Sequence, residues 1–420
     1  MAIIPAATMR YRSHDQSFPF YQDPDFRYLT DFPEPDAIAV LRPGHDKPFT
    51  LFVLPRDPAK ETWTGRRFGV EGAKERFGAD ASHELEEFEK ALPDLLSGYD
   101  ALYYRPGRRP SLDHPIQSTL EKLRAKTRDG VRVPWAIVDP GTVLHEHRLI
   151  KGPEEIDAIR RAVAVSAAGH LAAMRFIRAG LLELDVQAVL EYVFKRHGAE
   201  DVAFDTVVAA GANACILHYP QKQSRLEDGD LLLMDAGALL DGYSGDITRT
   251  VPISGKFSPA QRRLYDIVLA ALCAAGDETR PGRDIGDVHA AAVRVLTEGM
   301  VDAGLLEGEV DQLISDKEYN KYYTHRTSHW LGMDVHDVGR YFETETKTRT
   351  LEAGMALTIE PGIYVPSNDT SAPEEYRGIG IRIEDDFLVT PDGAENLSSA
   401  IPRAATEIER LMEEPFDPPA

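Results

Sequence analysis

Leu231-Leu232-Leu233-Met234-Asp235-Ala236-Gly237-Ala238-Leu239-Leu240-Asp241-Gly242-Tyr243-Ser244-Gly245-Asp246-Ile247-Thr248-Arg249-Thr250 brings two carboxylates into one probable hairpin. The apolar run Leu231 to Met234 reads as a strand, Asp241-Gly242 as the turn, and a second strand leaves past Asp246. A two- or four-residue hairpin loop pairs odd-numbered residues with even-numbered ones. Asp235 and Asp246 therefore fall on one face for either loop length. Two aspartates beside a turn are often merely solvated. The apolar approach argues instead for burial, where an unpaired carboxylate is costly and a cation removes the cost.

Outward from this hairpin, the chain of 420 residues exceeds the size at which one core stops growing, so two domains are expected. A formal charge of −22 argues against nucleic acid or an anionic membrane as partner, since those surfaces call for clustered Lys and Arg. No uncharged apolar run is long enough to span a bilayer. The opening Met1-Ala2-Ile3-Ile4-Pro5 lacks the basic region and long apolar core of a signal peptide, so a cytoplasmic protein is expected. Cys215 and Cys273 cannot build a disulfide framework or a Cys-rich zinc site, and their apolar neighbours make both read as buried thiols.

From Met1 to about Asp139, strand-like Ala37 to Leu41, Phe49 to Leu54 and Ala101 to Tyr104 alternate with helical Glu84 to Leu96 and Ile116 to Lys126. This predicts an α/β domain. Arg12 to Phe32 has no clear period and reads as a loop. The turn-rich Asp139-Pro140-Gly141 and the helix start at Pro153 place a boundary near residue 150, giving domains 1–150 and 151–420. Beyond it the order helix, helix, strands occurs twice. A helix from Pro153 and one through Val186 to Phe194, closed by Gly198, precede the strands of Asp235 and Asp246. A helix from Ser258-Pro259 and another from Ile285 to about Ala303 precede strands Ala356 to Tyr364 and Gly378 to Val389. Two such halves folded together predict a curved central sheet with helices outside and a site at the seam. The class expected for the whole chain is α/β (α+β).

In the second half Glu360 follows Ala356-Leu357-Thr358-Ile359. In Gly378-Ile379-Gly380-Ile381-Arg382-Ile383-Glu384 the isoleucines take one face and leave Gly380, Arg382 and Glu384 on the other. A lone strand glutamate is commonly a surface residue, but four carboxylates placed equivalently in two halves are a poor fit to that reading. Between them, Tyr323 to Asp337 holds His325, His329 and His336. These depart from the bland surface or core reading that suits His14, His45, His83, His114 and His289. One imidazole with four carboxylates suits a pair of hard or borderline divalent ions such as Mn²⁺, which together generate a nucleophile and polarise a carbonyl.

At these residues the sequence resembles the pita-bread metallopeptidases and, within them, the Xaa-Pro aminopeptidases (aminopeptidase P), with prolidase as the nearest relative. The resemblance runs from Tyr11-Arg12-Ser13-His14-Asp15 and Phe26-Arg27-Tyr28-Leu29-Thr30 through Ser328-His329-Trp330-Leu331-Gly332 to Gly378 through Asp385. It implies an amino-terminal α/β domain before a pita-bread catalytic domain. It implies that Asp235, Asp246, His329, Glu360 and Glu384 bind two divalent ions, usually Mn²⁺ with Zn²⁺ or Co²⁺ as alternatives, and that Asp246 and Glu384 bridge them. Glu360 is then the general base for the attacking bridging water. His218 and His336 line the substrate site and stabilise the tetrahedral intermediate. His325, Tyr364 and Arg382 fall on further active-site positions, where Tyr364 and Arg382 read equally well as supports behind the site. The implied substrates are peptides with proline second, and the implied assembly is a homo-oligomer, dimer or tetramer.

The chain departs from the family pattern at Arg326, where the family usually has glycine; its guanidinium either reaches the cleft or points outward. The family's first domain also normally opens with a helix, whereas this chain starts almost in the strand at Ile3, so the domain is abbreviated or its assigned start is late. A prolidase, which cleaves only dipeptides, shares every implied ligand. A catalytically inactive pita-bread binding module is the competing reading from another class, and its mark, loss of ligands, is absent here.

Overall fold

In the strand Ala2–Pro5, Ile3 and Ile4 point to opposite faces of a sheet, and each meets a different core. Ile38, Val40 and Phe52 join Ile3 on the face covered by helices Phe88–Leu96 and Pro110–Arg124. Ala39, Leu51 and Val53 join Ile4 against Phe26, Phe32 and Ala73. The structure, a computed structural model, describes residues 1–417. Within them the chain divides into two units, the first Met1–Leu144 and the second beginning at His145. The first holds a six-stranded mixed sheet in the order Ala81–Glu84, Phe49–Val53, Ile38–Leu41, Ala2–Pro5, Ala101–Tyr103, Ala136–Val138.

The second unit shows the repeated order. Helices Pro153–Phe176 and Glu183–Arg196 precede the first strands, and helices Pro259–Glu278 and Ile285–Asp302 precede the second set. Strand Leu231–Ala236 pairs antiparallel with Ile247–Pro252, Asp235 lying opposite Thr248, so Asp235 and Asp246 share a face. The tip closes with Leu240 opposite Tyr243, leaving Asp241 and Gly242 as a two-residue loop with φ of 52° and 79°. Positive φ at both positions is what a tight hairpin turn of the primed type demands, and an Asp-Gly pair supplies it. In the second half Ala356–Ile359 pairs with Asp385–Thr390, Ile359 opposite Asp385, so Glu360 and Glu384 come next in register and face one another.

Three expectations are corrected here. The central sheet is not continuous: the second unit contains three three-stranded sheets and a two-stranded ribbon, and the two halves meet through a bridge between Thr248 and Glu384. Strands Ala356 to Tyr364 and Gly378 to Val389 break at Glu360-Pro361 and Ile383-Glu384. Pro361 has no N–H to continue a ladder. Second, Arg12 to Phe32 contains a helix, Pro24–Thr30, started by Asp23, whose carboxylate accepts from the Phe26 N–H. The Asp-Pro pair was its local signal. Third, Cys273 is exposed and Cys215 half-buried. The buried stripe of its helix runs through Leu264, Val268, Leu272 and Ala275, and Cys273 sits one residue off it. Among the described residues no helix is long and apolar enough to cross a membrane.

Candidate metal centre and its cavity

A cavity of about 980 Å³ opens in the second unit over the broken strands. Asp235, Asp246, Glu360, Arg382 and Glu384 line it, together with His218, His325, His329 and His336. Tyr364, also anticipated for the site, does not line it and instead touches His325 and Arg382 from behind. Gly380 lets this strand approach the Ala214 carbonyl so closely that a side chain there would collide with backbone.

Asp246, His329 and Glu384 each present one atom within 4.8 Å of the others. His329 is fixed by its backbone, which exchanges hydrogen bonds with Thr358. Its Nδ1 lies 3.1 Å from the Trp330 carbonyl, which can only accept, so Nδ1 carries the proton. The Nε2 then lies 3.3 Å from Asp246 Oδ2 and 3.8 Å from Glu360 Oε1. So close an approach of a ring nitrogen to two carboxylates needs a positive charge between them, a proton on Nε2 or a metal ion in its place.

The carboxylates report the same strain. Burial pushes Asp246 and Glu384 well above the usual carboxylate range; Asp235, Asp386 and Glu360 push Asp246 further, Asp246, Glu360 and Asp235 push Glu384 further, and Arg382 opposes both. Burial likewise raises Glu360 to about 7, against the pull of His329 and Arg382. Asp235 Oδ1 is buried with no hydrogen-bond partner among the described residues. An orphan oxygen, an imidazole nitrogen aimed at the cluster and crowded carboxylates form an oxygen-rich donor set, and such a set fits hard or borderline divalent ions.

Around this set the chain supplies fixed donors. Thr248 Oγ1 donates to Glu384 Oε2 at 2.7 Å. Arg382, 3% exposed, donates to Asp235 Oδ2 at 2.6 Å, to Tyr364 Oη at 3.0 Å and to Thr248 Oγ1 at 3.2 Å. Since Tyr364 Oη accepts from Arg382, its own proton goes to His325 Nε2, 2.8 Å away. Burial, which raises the Tyr364 phenol to about 12 and lowers His325 to about 3, keeps both neutral. His325 Nδ1–H then donates to the Arg326 carbonyl at 2.9 Å and lies 3.6 Å from Glu360. His336, lowered to about 4 by burial and then by His329, is also neutral; its ring centroid is 4.2 Å from that of His329.

Several participants escape the sequence reading. Thr248 could have been found, because it shares the parity of Asp246. Arg249 is fully buried and donates to the carbonyls of Thr248, Glu384 and Pro402 and to Asp385 Oδ1 at 2.6 Å. Asp386 accepts the Asp246 N–H at 3.0 Å. His289, read as bland, lines the cavity, as does Arg326.

The profile described as Metallopeptidase family M24 matches residues 157–391, and that of the aminopeptidase P N-terminal domain matches residues 1–103. The sequence is 43% identical to an Xaa-Pro aminopeptidase of Escherichia coli (strain K12), over 98% of this chain and 93% of that protein. The structure is similar to Pseudomonas aeruginosa aminopeptidase PepP, with a TM-score of 0.95, 46% identity, and coverage of 98% of this chain and 93% of that one. It is likewise similar to proline aminopeptidase P II from Yersinia pestis, with a TM-score of 0.93, 43% identity and coverage of 98% and 94%.

Proposed function

Because the chain belongs to metallopeptidase family M24, with the amino-terminal domain of aminopeptidase P ahead of it, we propose that it hydrolyses the bond between an amino-terminal residue and a following proline. The observation that carries this reading is the convergence of Asp246, His329 and Glu384, with Glu360 beside them, in one cavity. We take residues 1–150 as the amino-terminal module and 151–420 as the catalytic one.

In this reading Asp235, Asp246, His329, Glu360 and Glu384 would hold two divalent ions. Manganese is favoured by the ratio of carboxylate oxygen to imidazole. When bound, the ions lower the pKa of a water and polarise the scissile carbonyl. Glu360, its Oε1 3.8 Å from His329 Nε2 at the edge of the cluster, is suited to take the proton of the attacking water and return it to the leaving proline nitrogen. His336, neutral at pH 7, can donate to the developing oxyanion, and His218 faces the same cavity. Arg382 holds Asp235 in place, while Tyr364 fixes the His325 tautomer, so these three orient rather than transfer protons.

Two unpaired cysteines fit a reducing, cytoplasmic setting. Trp135, 82% exposed just before the edge strand Ala136–Val138, and Ile137, 43% exposed within it, fit burial against a further copy in a dimer or tetramer. The test of the activity is release of the first residue from Xaa-Pro-Yaa peptides with Mn²⁺ supplied. Chelation is expected to abolish it. Full turnover by protein shown to be metal-free overturns the mechanism, and cleavage confined to Xaa-Pro dipeptides makes the protein a prolidase instead.

A further inference from the structure

The cavity is larger than the carboxylate cluster needs, and its volume of about 980 Å³ is at the upper end for a bound small molecule. Besides the carboxylates and their histidines, the lining includes Ile285, Phe342, His289 and Arg326. Arg326 is exposed and lines the cavity, and its guanidinium has no hydrogen bond or ion pair among the described residues. Arg382, the other arginine of the lining, is already committed to Asp235.

Next to Arg326, His289 is held by its Nδ1, 2.8 Å from Thr327 Oγ1, which is itself 2.7 Å from the Tyr323 hydroxyl. The buried Tyr323 hydroxyl has Thr327 as its one partner among the described residues, so it donates there. The Thr327 proton then goes to Nδ1, leaving His289 Nε2 as an N–H donor with no partner among the described residues. Burial, and then the nearby Arg326 charge, lower His289 to about 4 and keep it in this neutral form.

We propose that Arg326 and His289 form a subsite for the free α-carboxylate of a short peptide substrate, the residue bearing it lying beyond the proline. The inference rests on the peptidase reading above. A guanidinium and a neutral N–H lining one cavity offer the oxygens of a carboxylate a charge and a second donor. The subsite therefore favours peptides short enough to bring their terminus to this wall.

The test compares Xaa-Pro-Ala and Xaa-Pro-Ala-Ala as free acids and as carboxyl-terminal amides, in the manganese-loaded native protein, Arg326→Gly and Arg326→Lys. For an exposed charge pair, kcat/KM is expected to favour the acid about fivefold at one of the two lengths. That ratio should fall to one in Arg326→Gly, survive partly in Arg326→Lys, and shrink with added salt. A second reading needs no turnover: calorimetric binding of Pro-Ala and Pro-Ala-Ala against their amides should show the same preference in the native protein and none in Arg326→Gly. Equal handling of acids and amides by the native protein in both assays overturns the subsite. If no peptide is cleaved yet the binding preference is present, the peptidase reading fails and the subsite stands.

Discussion

The cavity has two walls built on opposite principles. At the carboxylate wall the groups that support the carboxylates are tied. Arg382 makes three side-chain hydrogen bonds, Thr248 holds Glu384, and the wholly buried Arg249 clamps the backbone behind it. At the other wall His218 is exposed on a segment with no strand, and Arg326 is unpartnered among the described residues. The first wall is arranged as chemistry requires, with groups held before substrate arrives; the second is left to adapt to what enters. Changes at the first should therefore cost turnover or folding outright, and changes at the second should alter which substrates are taken.

The largest effect is expected at Glu360→Gln. This removes a donor charge and the proposed base while keeping the shape, and turnover should fall on the order of a thousandfold or more with folding intact. Steady-state kcat with metal content measured on the same sample decides it; an unchanged kcat with metal bound would remove Glu360 from the chemistry. Next comes Arg249→Met, which strands Asp385, itself 0% exposed, with the half-buried Arg403 as its remaining ion-pair partner at 3.3 Å. A buried carboxylate losing its principal partner costs about 3 kcal/mol. Urea unfolding of chelated protein reads this as a lower midpoint, and an unshifted midpoint would mean that the tied wall does not depend on this clamp.

Behind the same wall, His170 is wholly buried and lies 3.1 Å from the Ala236 carbonyl by its Nε2. Burial lowers its pKa from 6.5 to about 4. Between those values the unfolded ring holds a proton that the folded ring does not, so stability from this group is complete well above pH 6.5 and declines as pH falls toward 4. From pH 7 to pH 5 the loss is about 2 kcal/mol. His170→Gln, which does not titrate, should lose that much less than the native protein over the same interval, measured by urea midpoints with chelator present. An identical loss in both proteins would show the ring to be protonated where it lies.

Much of the tied wall was legible because strand geometry is periodic. Asp235 and Asp246 share a face by parity about a turn whose Asp-Gly pair announces itself. Glu384 follows from the alternation of Ile379, Ile381 and Ile383. Helix starts at Pro153 and Ser258-Pro259 were legible for an equally local reason, the fit of proline to a first turn. What escaped is what distance conceals. Arg249 meets Asp385 across 136 residues, and His289 reaches the cavity through Thr327, 38 residues on. No period links such pairs, and a histidine near a helix start carries no mark of the cavity it will face. The strand breaks at Glu360-Pro361 and Ile383-Glu384 were half-visible, since Pro361 signalled the first and nothing local signals the second.

The adaptable wall still has one anchor. Glu183, wholly buried, accepts four hydrogen bonds from the segment that carries His218. Oε1 takes the Ala210 N–H at 2.8 Å and Asn213 Nδ2 at 2.9 Å; Oε2 takes the Tyr219 hydroxyl at 3.1 Å and the Ser224 N–H at 2.9 Å. In Glu183→Gln the amide must turn its NH₂ toward one of these pairs, and each pair contains a backbone N–H that cannot become an acceptor. Whichever way it turns, a buried donor faces a donor and the segment shifts. Because His218 rides on that segment, kcat/KM should fall about tenfold, a coupling of about 1.4 kcal/mol, while metal content is unchanged. The decisive measurement is the cycle of native protein, Glu183→Gln, His218→Ala and the double variant. If Glu183 acts through His218, the double variant is no slower than His218→Ala alone. Fully additive losses would break the comparison of the two walls, because they would show that Glu183 supports the carboxylate wall as well.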